Sequence, residues 1–315
     1  MSVEAELASL LPGRDMLLTV GVFDGVHLGH KYLISQLIEQ SRQQDLLPGV
    51  VTFHQHPQEV LETEVKLSFL TDLAERSNLL KNEGVEVIIP LSFTNELARL
   101  GARQFVSLLK KHLRMRGLVV GPDFALGRDR EGDADTLRGL GQEMDFSVTV
   151  VPPITINGEV VSSTAIREAL AAGDMEKVRT MAGRPFSLHG QVVSGTGRGV
   201  ELGFPTANLD IDPEQAVPAD GVYATWGYIN SRAYRSMTYI GRAPTFGGSK
   251  RTVEVYVLDY SKDLYGHELK VDIIEKLRGD KQFDTAEELK KQIAEDVERG
   301  KAILSSKAEA KYGNR

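Results

Sequence analysis

Short unbroken apolar runs alternate with segments of helical period over the first part of the chain. The runs cover 16–22, 49–53, 85–91, 117–121 and 146–151, and apolar residues recur at helical spacing near 30–43, 70–83, 95–114 and 163–172. Unbroken runs suit strands buried on both faces, so the alternation predicts a parallel sheet covered by helices. Later the pattern changes to short alternating segments at 189–193, 221–229, 234–240, 252–258 and 269–275, separated by Gly, Pro and Asn. These predict a compact β-barrel, and an amphipathic helix at about 284–305 closes the chain. The stretch 173–186 reads as a short helix and a connector. The expected domains are therefore 1–183 and 184–315.

Composition supports the division. Only Tyr32 precedes residue 183, whereas the other eight tyrosines and Trp226 follow it, as a strand-rich second part requires. At roughly 150 residues per domain, 315 residues make about two domains, each able to bury a core. With no Cys there is neither a disulfide nor a thiolate nucleophile or metal site. The start MSVEAELASL lacks a basic signal region and no run approaches the ~18 apolar residues of a membrane helix, so a cytoplasmic protein without a membrane partner is expected. A net charge of -7 argues against a large nucleic-acid surface and allows a small basic pocket for one nucleotide.

The first apolar run leads into Gly21-Val22-Phe23-Asp24-Gly25-Val26-His27-Leu28-Gly29-His30 and then a helical pattern. A glycine-rich strand-to-helix turn lets backbone approach a ligand closely at Gly25 and Gly29, and the helix N-terminus favours phosphate. His27 and His30, three apart, are expected on one face of the first helical turn. Two imidazoles aimed at one phosphate can stabilise charge building on a transferring group and its leaving pyrophosphate. A tight turn with two surface histidines is the alternative. In Ser162-Ser163-Thr164-Ala165-Ile166-Arg167 the hydroxyls suit helix caps, and Arg167 is expected in the first turn of a helix at 165–172. There the dipole disfavours a cation unless an anion is held nearby, which suggests a phosphate clamp. Gly121-Pro122-Asp123-Phe124-Ala125-Leu126-Gly127 falls at the predicted carboxyl end of the fourth strand, where open α/β sheets bind ligands; a plain loop fits equally well.

In the second part, Gly195 to Gly203 forms a glycine-rich stretch ending in Phe204-Pro205-Thr206-Ala207-Asn208. Thr206 and Asn208, two apart in an extended segment, face the same way, and two neutral oxygens suit Mg²⁺ already bound to ATP phosphates. A turn satisfying its own backbone is the alternative. On 252–258, Val253, Val255 and Val257 share one face and Glu254 points to the other, as either a solvated carboxylate or a base.

These motifs resemble the bacterial bifunctional riboflavin kinase/FAD synthetase family. GVFDGVHLGH is similar to its first motif with the nucleotidyltransferase HxGH core, GPDFALG to its G-x-D/N-F-x-F-G segment, and SSTAIR to ISSTxxR. PTAN resembles the riboflavin kinase motif, with IGRAPTF at 240–246, DLYGHEL at 263–269 and LRGDKQF at 277–283 as further likenesses. The likeness spans roughly 15–305, with both motif sets in the family's order. It implies a Rossmann-like nucleotidyltransferase domain with a parallel sheet, followed by a small β-barrel riboflavin kinase domain with a terminal helix. Riboflavin and ATP would give FMN and ADP in the second, and FMN and ATP would give FAD and pyrophosphate in the first, with Mg²⁺ required. On this likeness His27, His30, Arg167 and Glu254 are catalytic, and Gly21, Phe23, Asp24, Gly25, Gly29, Asp123, Ser163, Thr164, Gly195, Gly203 and Pro205 bind nucleotide. Phe53, His56, Pro57, Phe124 and Arg278 contact flavin, while Thr206 and Asn208 hold the metal. Leu126 stands where the family usually has Phe, Gln55 where Pro is common, and Val200 and Ala243 where Arg is frequent. A transferase for another small phosphate, or a flavin-nucleotide sensor, are the alternatives; the Thr206, Asn208 and Glu254 set speaks against the first, and intact catalytic motifs in both parts against the second.

Overall fold

The computed structural model describes residues 2–9, 12–61, 67–195, 197–242 and 251–312. Contacts within the chain divide it into two compact units, Met1–Ser163 and Thr164–Arg315. No helix of the described residues is long and apolar enough to cross a membrane.

The first unit runs α1 (Val3–Ala8), β1 (Met16–Val20), α2 (Leu28–Gln43), β2 (Leu47–Phe53), α3 (Pro57–Leu61), α4 (Leu73–Asn82), β3 (Val87–Leu91), α5 (Asn95–Arg99), α6 (Ala102–Leu113), β4 (Met115–Val120), α7 (Ala134–Met144), β5 (Ser147–Val150) and a hairpin of β6 (Thr155–Ile156) and β7 (Glu159–Val160). The strands β3-β2-β1-β4-β5 form a parallel sheet in that order. All five residues of central β1 are buried, and they alternate between two cores. Leu17 joins Ile34, Leu37, Val50 and Leu80 on one side, while Met16, Leu18 and Val20 join Phe105, Leu109 and Leu118 on the other. This is why the strand reads as a continuous apolar run. The chain extends from β1 to β2 and β3 and then returns to β4 on the opposite side of β1, so strand order reverses between β1 and β4. The carboxyl ends there flank the crevice where such sheets hold ligands.

The pattern at 95–114 is two helices. Leu100 is extended, and a Cβ on Gly101 would lie 2.7 Å from Glu131 Oε1, whose carboxylate accepts the Ala102 N–H at the start of α6. Helix α7 was not anticipated because Gly139 and Gly141 dilute its pattern; Gly141 is needed, since a Cβ there would overlap the Phe146 carbonyl oxygen.

The second unit contains α8 (Ser163–Ala172), whose first residue closes the first unit, then α9 (Met175–Ala182), β8 (Phe186–Val193), α10 (Arg198–Leu202), β9 (Ala207–Ile211), β10 (Gly221–Ile229), β11 (Arg232–Arg242), β12 (Arg251–Val257), β13 (Glu268–Arg278) and α11 (Ala286–Tyr312). Six strands close a barrel in the order β10-β11-β12-β9-β8-β13, with antiparallel pairs throughout, which leaves no strand edge exposed. Helix α11 packs Val297 and Leu304 against Val222, Met237 and Leu277. Strand β9 escaped the pattern reading because Asn208 and Asp210 leave it only two large apolar side chains, Leu209 and Ile211.

Two candidate active sites

In the first unit the sequence turns at Gly21, whose N–H reaches the Val51 carbonyl at 3.0 Å and ties the end of β1 to β2. Phe23, Gly25 and Val26 then adopt positive φ values of 54°, 78° and 37°, a winding that side chains other than glycine's resist. Asp24, 2% exposed, holds this winding: its carboxylate accepts the Leu70 and Thr71 N–H groups at 2.9 to 3.1 Å, and Thr71 Oγ1 accepts Gly25 N–H at 3.0 Å. Ser163 Oγ donates to the Asp24 carbonyl at 2.9 Å. Asp24 and Ser163 thus bind the turn to its surroundings through the groups that face it.

His27 is the N-cap of α2 and lies just outside the helix, with Nδ1 accepting the His30 N–H at 3.3 Å. The two rings stack at 3.6 Å and 18°, and Phe23 meets His30 edge-on at 5.1 Å. Gly29 permits the stack, because a Cβ there would lie 3.1 Å from the His27 ring. His30 Nδ1 is sealed from solvent and has no hydrogen-bond partner. Burial, then the His27 ring and the Arg76 guanidinium, hold the His30 pKa well below the usual histidine value. His30 is therefore a neutral imidazole at pH 7, and it becomes a better cation only when an anion arrives beside it.

The other expected residues of this unit gather at the same edge of the sheet. Phe53 ends β2 and packs edge-on against Phe93 at 5.4 Å; Pro57 starts α3, and His56 Nδ1 accepts the Gln58 N–H. Gln55 bridges to the Phe93 carbonyl at 2.9 Å. Asp123 and Phe124 follow the end of β4, with Asp123 exposed and its carbonyl held by Arg130 at 2.8 Å. Leu126 is buried and pairs its backbone with Gly132. One expectation changes. Because α8 starts at Ser163, Thr164 is its second residue and Arg167 its fifth, one turn beyond Ser163 on the same face, so Arg167 is not in the first turn.

In the second unit, Glu254 on β12 stands directly opposite Asn208 on β9 and Tyr239 on β11, so the three side chains share a face. Thr206 Oγ1 donates to Glu254 Oε2 at 3.1 Å. The side-chain alternation expected for 252–258 holds, with Val253, Val255 and Val257 buried and Glu254 half-buried. Glu254, Thr206, Tyr239, Phe204 and Arg278 line a cavity of about 680 Å³. Gly195 lies against Asn208, where a Cβ would overlap the carboxamide, and Gly203 ends α10 at φ 84° before Pro205 leads into β9. Arg278 is engaged by a brace: Nε donates to both Asp296 oxygens at 2.9 and 3.2 Å, which ties β13 to α11. Tyr239 donates to Asp280 at 3.3 Å. Burial, Asp280 and then Glu254 push its pKa up to about 12, so it is a donor at neutral pH.

The donor set near Glu254 suits Mg²⁺ only in company. No group of three or more metal-binding carboxylate, histidine or cysteine side chains occurs among the described residues. The Thr206 hydrogen is directed to Glu254, which leaves its oxygen lone pairs available, and the Asn208 carboxamide is cradled by Gly195. Two neutral oxygens fit an ion whose charge is balanced by nucleotide phosphates.

Comparison with known proteins decides the family. FAD synthetase sequences match residues 12–165 and riboflavin kinase sequences match residues 182–304. The bifunctional riboflavin kinase/FMN adenylyltransferase of Escherichia coli K12 is 38% identical over 290 residues, covering 91% of this chain and 92% of that protein. The chain belongs to this family. Its member from Pseudomonas fluorescens is 35% identical over 94% of this chain and 95% of its own, and that from Bacillus subtilis 32% identical over 89% and 90%. A crystal structure named as a macrolide-efflux protein from Streptococcus pneumoniae superposes with a TM-score of 0.87 at 32% identity, over 94% of this chain and 96% of that one.

Within the riboflavin kinase/FMN adenylyltransferase family, the sequence reading located both motif sets but missed the groups behind them. Arg76 and Asp296 carry no motif signal, and Asp280 lies inside LRGDKQF without a role assigned to it; a charged residue inside an apolar helical face, as at Arg76, is the signal that could have drawn attention. Val200 is exposed on α10, while Ala243 and the end of the IGRAPTF stretch, like Thr196, lie outside the described residues.

Proposed function

We propose that the chain makes FAD from riboflavin in two ATP-dependent steps, with the kinase in 184–315 and the adenylyltransferase in 1–183. The observation that carries the reading is the convergence of Glu254, Thr206 and Asn208 beside one cavity, in a chain that also stacks two histidines at a helix N-terminus. In the kinase step Glu254 takes the proton from the ribityl primary alcohol as its oxygen attacks the ATP γ-phosphorus; the bond to the β-phosphate breaks and ADP leaves. Thr206 and Asn208 would hold Mg²⁺, which neutralises phosphate charge when bound. Tyr239 and the Arg278–Asp296 brace shape the cavity around the flavin.

In the second step the ionised phosphate of FMN needs no base. Its oxygen attacks the α-phosphorus, the α–β bridging bond breaks, and pyrophosphate leaves. His27, His30 and the N-terminus of α2 stabilise the growing charge, with Ser163, Thr164 and Arg167 contributing at the start of α8. The turn from Gly21 to Gly29 lets backbone N–H groups approach the phosphates, with Asp24 holding its winding. Asp123 bounds the nucleotide side, and Phe53, His56, Pro57 and Phe124 offer surface to the isoalloxazine.

The test incubates purified protein with riboflavin, Mg²⁺ and ATP and separates riboflavin, FMN and FAD chromatographically. FMN followed by FAD is expected. Glu254→Gln should lower FMN formation by ~100-fold or more while FAD still forms from supplied FMN. Arg167→Ala should slow only the second reaction, by roughly 10²-fold. Retained flavin binding without conversion would favour a sensor instead.

A further inference from the structure

Arg76 is the fourth residue of α4 and is only 1% exposed, among the largest fully buried side chains of the molecule. One nitrogen, Nη1, donates to the Val22 carbonyl at 2.8 Å, the Phe53 carbonyl at 3.0 Å and Thr52 Oγ1 at 3.2 Å. Thr52 Oγ1 in turn donates to the Val22 carbonyl at 2.9 Å. Val22 opens the turn after β1 and Phe53 ends β2, so the guanidinium lies across the carboxyl ends of two neighbouring strands. It faces the Phe69 ring at 5.2 Å, and its Nε has no partner. Burial disfavours its charged form, and Asp24 and then Asp72 favour it. Burying a cation costs desolvation even with these partners, and an apolar side chain of similar length would fill the space without that cost.

Two consequences of this charge bear on the site. It fixes the entry to the turn that carries His27 and His30, and its field reaches His30. Being buried, it cannot touch a substrate. We propose that Arg76 is a positioning residue for adenylylation: it locks the Val22 end of the phosphate turn to β2, and its charge draws a polyphosphate toward the stacked histidines. The proposal rests on the adenylyltransferase reading of the first unit, and its test separates the two.

Intact Arg76→Lys and Arg76→Met variants are compared with the parent. FMN adenylylation is followed against ATP concentration, and riboflavin phosphorylation is measured on the same preparations. Pyrophosphate binding is measured calorimetrically, and the His30 ring is titrated by NMR. Methionine removes both donors and charge: turnover should fall ~10²-fold, KM for ATP should rise ~10-fold, and pyrophosphate should bind ~10-fold more weakly. The His30 midpoint should rise, because one of the groups keeping it neutral is gone. Lysine keeps the charge and loses the fork of donors, so turnover should fall ~10-fold with KM and pyrophosphate affinity within about threefold of the parent. Riboflavin phosphorylation should stay within about twofold in both.

A role in packing alone would lower stability yet leave KM, pyrophosphate affinity and the His30 midpoint of the folded protein unmoved; that result overturns the proposal. If the methionine variant does not fold, the lysine variant decides, since parental turnover there overturns the positioning role. A parent protein that makes no FAD would instead remove the adenylyltransferase reading, while pyrophosphate affinity and the His30 titration still read the effect of Arg76.

Discussion

Acidification should weaken the first unit through a single imidazole. Burial, the His27 ring and Arg76 all disfavour the charged form of His30, and its Nδ1 is sealed without a partner. In the unfolded chain the same group titrates near 6.5. Its folded value is depressed, so in the window below 6.5 the unfolded chain binds a proton that the folded chain refuses, and stability rises with pH there. The contribution is fully present above 6.5 and is lost as pH falls toward the folded value. From pH 7.5 to 5.5, a histidine kept neutral when folded loses about 1.4 kcal/mol of stability, or roughly 3–5 °C of Tm for a unit of this size.

The perturbation is His30→Asn, which keeps a polar group and removes the titration. Titrating groups away from the stacked pair contribute equally to both proteins, so the difference between their pH slopes reads His30 together with its coupling to His27. Calorimetric unfolding at pH 5.5, 6.5 and 7.5 reads it. The molecule carries its own control: Trp226 sits on β10 in the barrel, so tryptophan fluorescence follows the second unit, whose pH slope should be the same in both proteins. Pyrophosphate should reverse the effect, because an anion beside the ring favours the imidazolium. Equal slopes for the two proteins in the first unit would refute the reasoning, as would an NMR midpoint for His30 near 6.5.

Three further outcomes follow from the packing. A fragment of 184–315 should phosphorylate riboflavin and make no FAD, and one of 164–315 should be the more stable, since α9 buries Met175, Val178 and Met181 and packs on β8 and β13; thermal unfolding and both assays check this. Gly195→Ala places a methyl on the Asn208 carboxamide and should raise KM for Mg-ATP in riboflavin phosphorylation by about tenfold, with FAD formation from supplied FMN unchanged. Gly25→Ala meets both a φ of 78° and Leu70 Cδ1 at 2.8 Å, so FAD formation should fall by ~10-fold or more while the kinase persists; parental FAD synthesis in this variant would show that the winding of the turn is dispensable.

Most of the architecture was legible because burial writes a plain pattern. All five strands of the parallel sheet overlap the apolar runs because both faces of that sheet are buried, and β10 matches the expected 221–229, with Val222 and Ala224 packed under α11 and Tyr223 and Thr225 buried on its other face. The failures share a physical cause. Helix α7 is held by a glycine that must pass close to a carbonyl, and β9 by cross-strand bonds to β8 and β12 that a sequence does not display. The break between α5 and α6 depends on Glu131, thirty residues from Gly101, whose carboxylate occupies the place a continuing helix would need.

The site divides along the same line. The residues proposed to act on phosphate or to hold its metal are recognisable because their spacing is local: His27 and His30 are one turn apart, and Thr206 and Asn208 are two residues apart in sequence. What the spacing does not carry is the state of those groups. Two histidines three apart read as imidazoles aimed at one phosphate, and the spacing does not show that burial, the stacked His27 ring and the hidden Arg76 disfavour the charged form of His30. Likewise Arg278, which the resemblance assigns to the flavin, is oriented by Asp296 from α11, eighteen residues on. In both cases the missing partner is supplied by another element. The charge state of His30 and the orientation of Arg278 are therefore set by the tertiary fold, and the local motif specifies only which atoms are present.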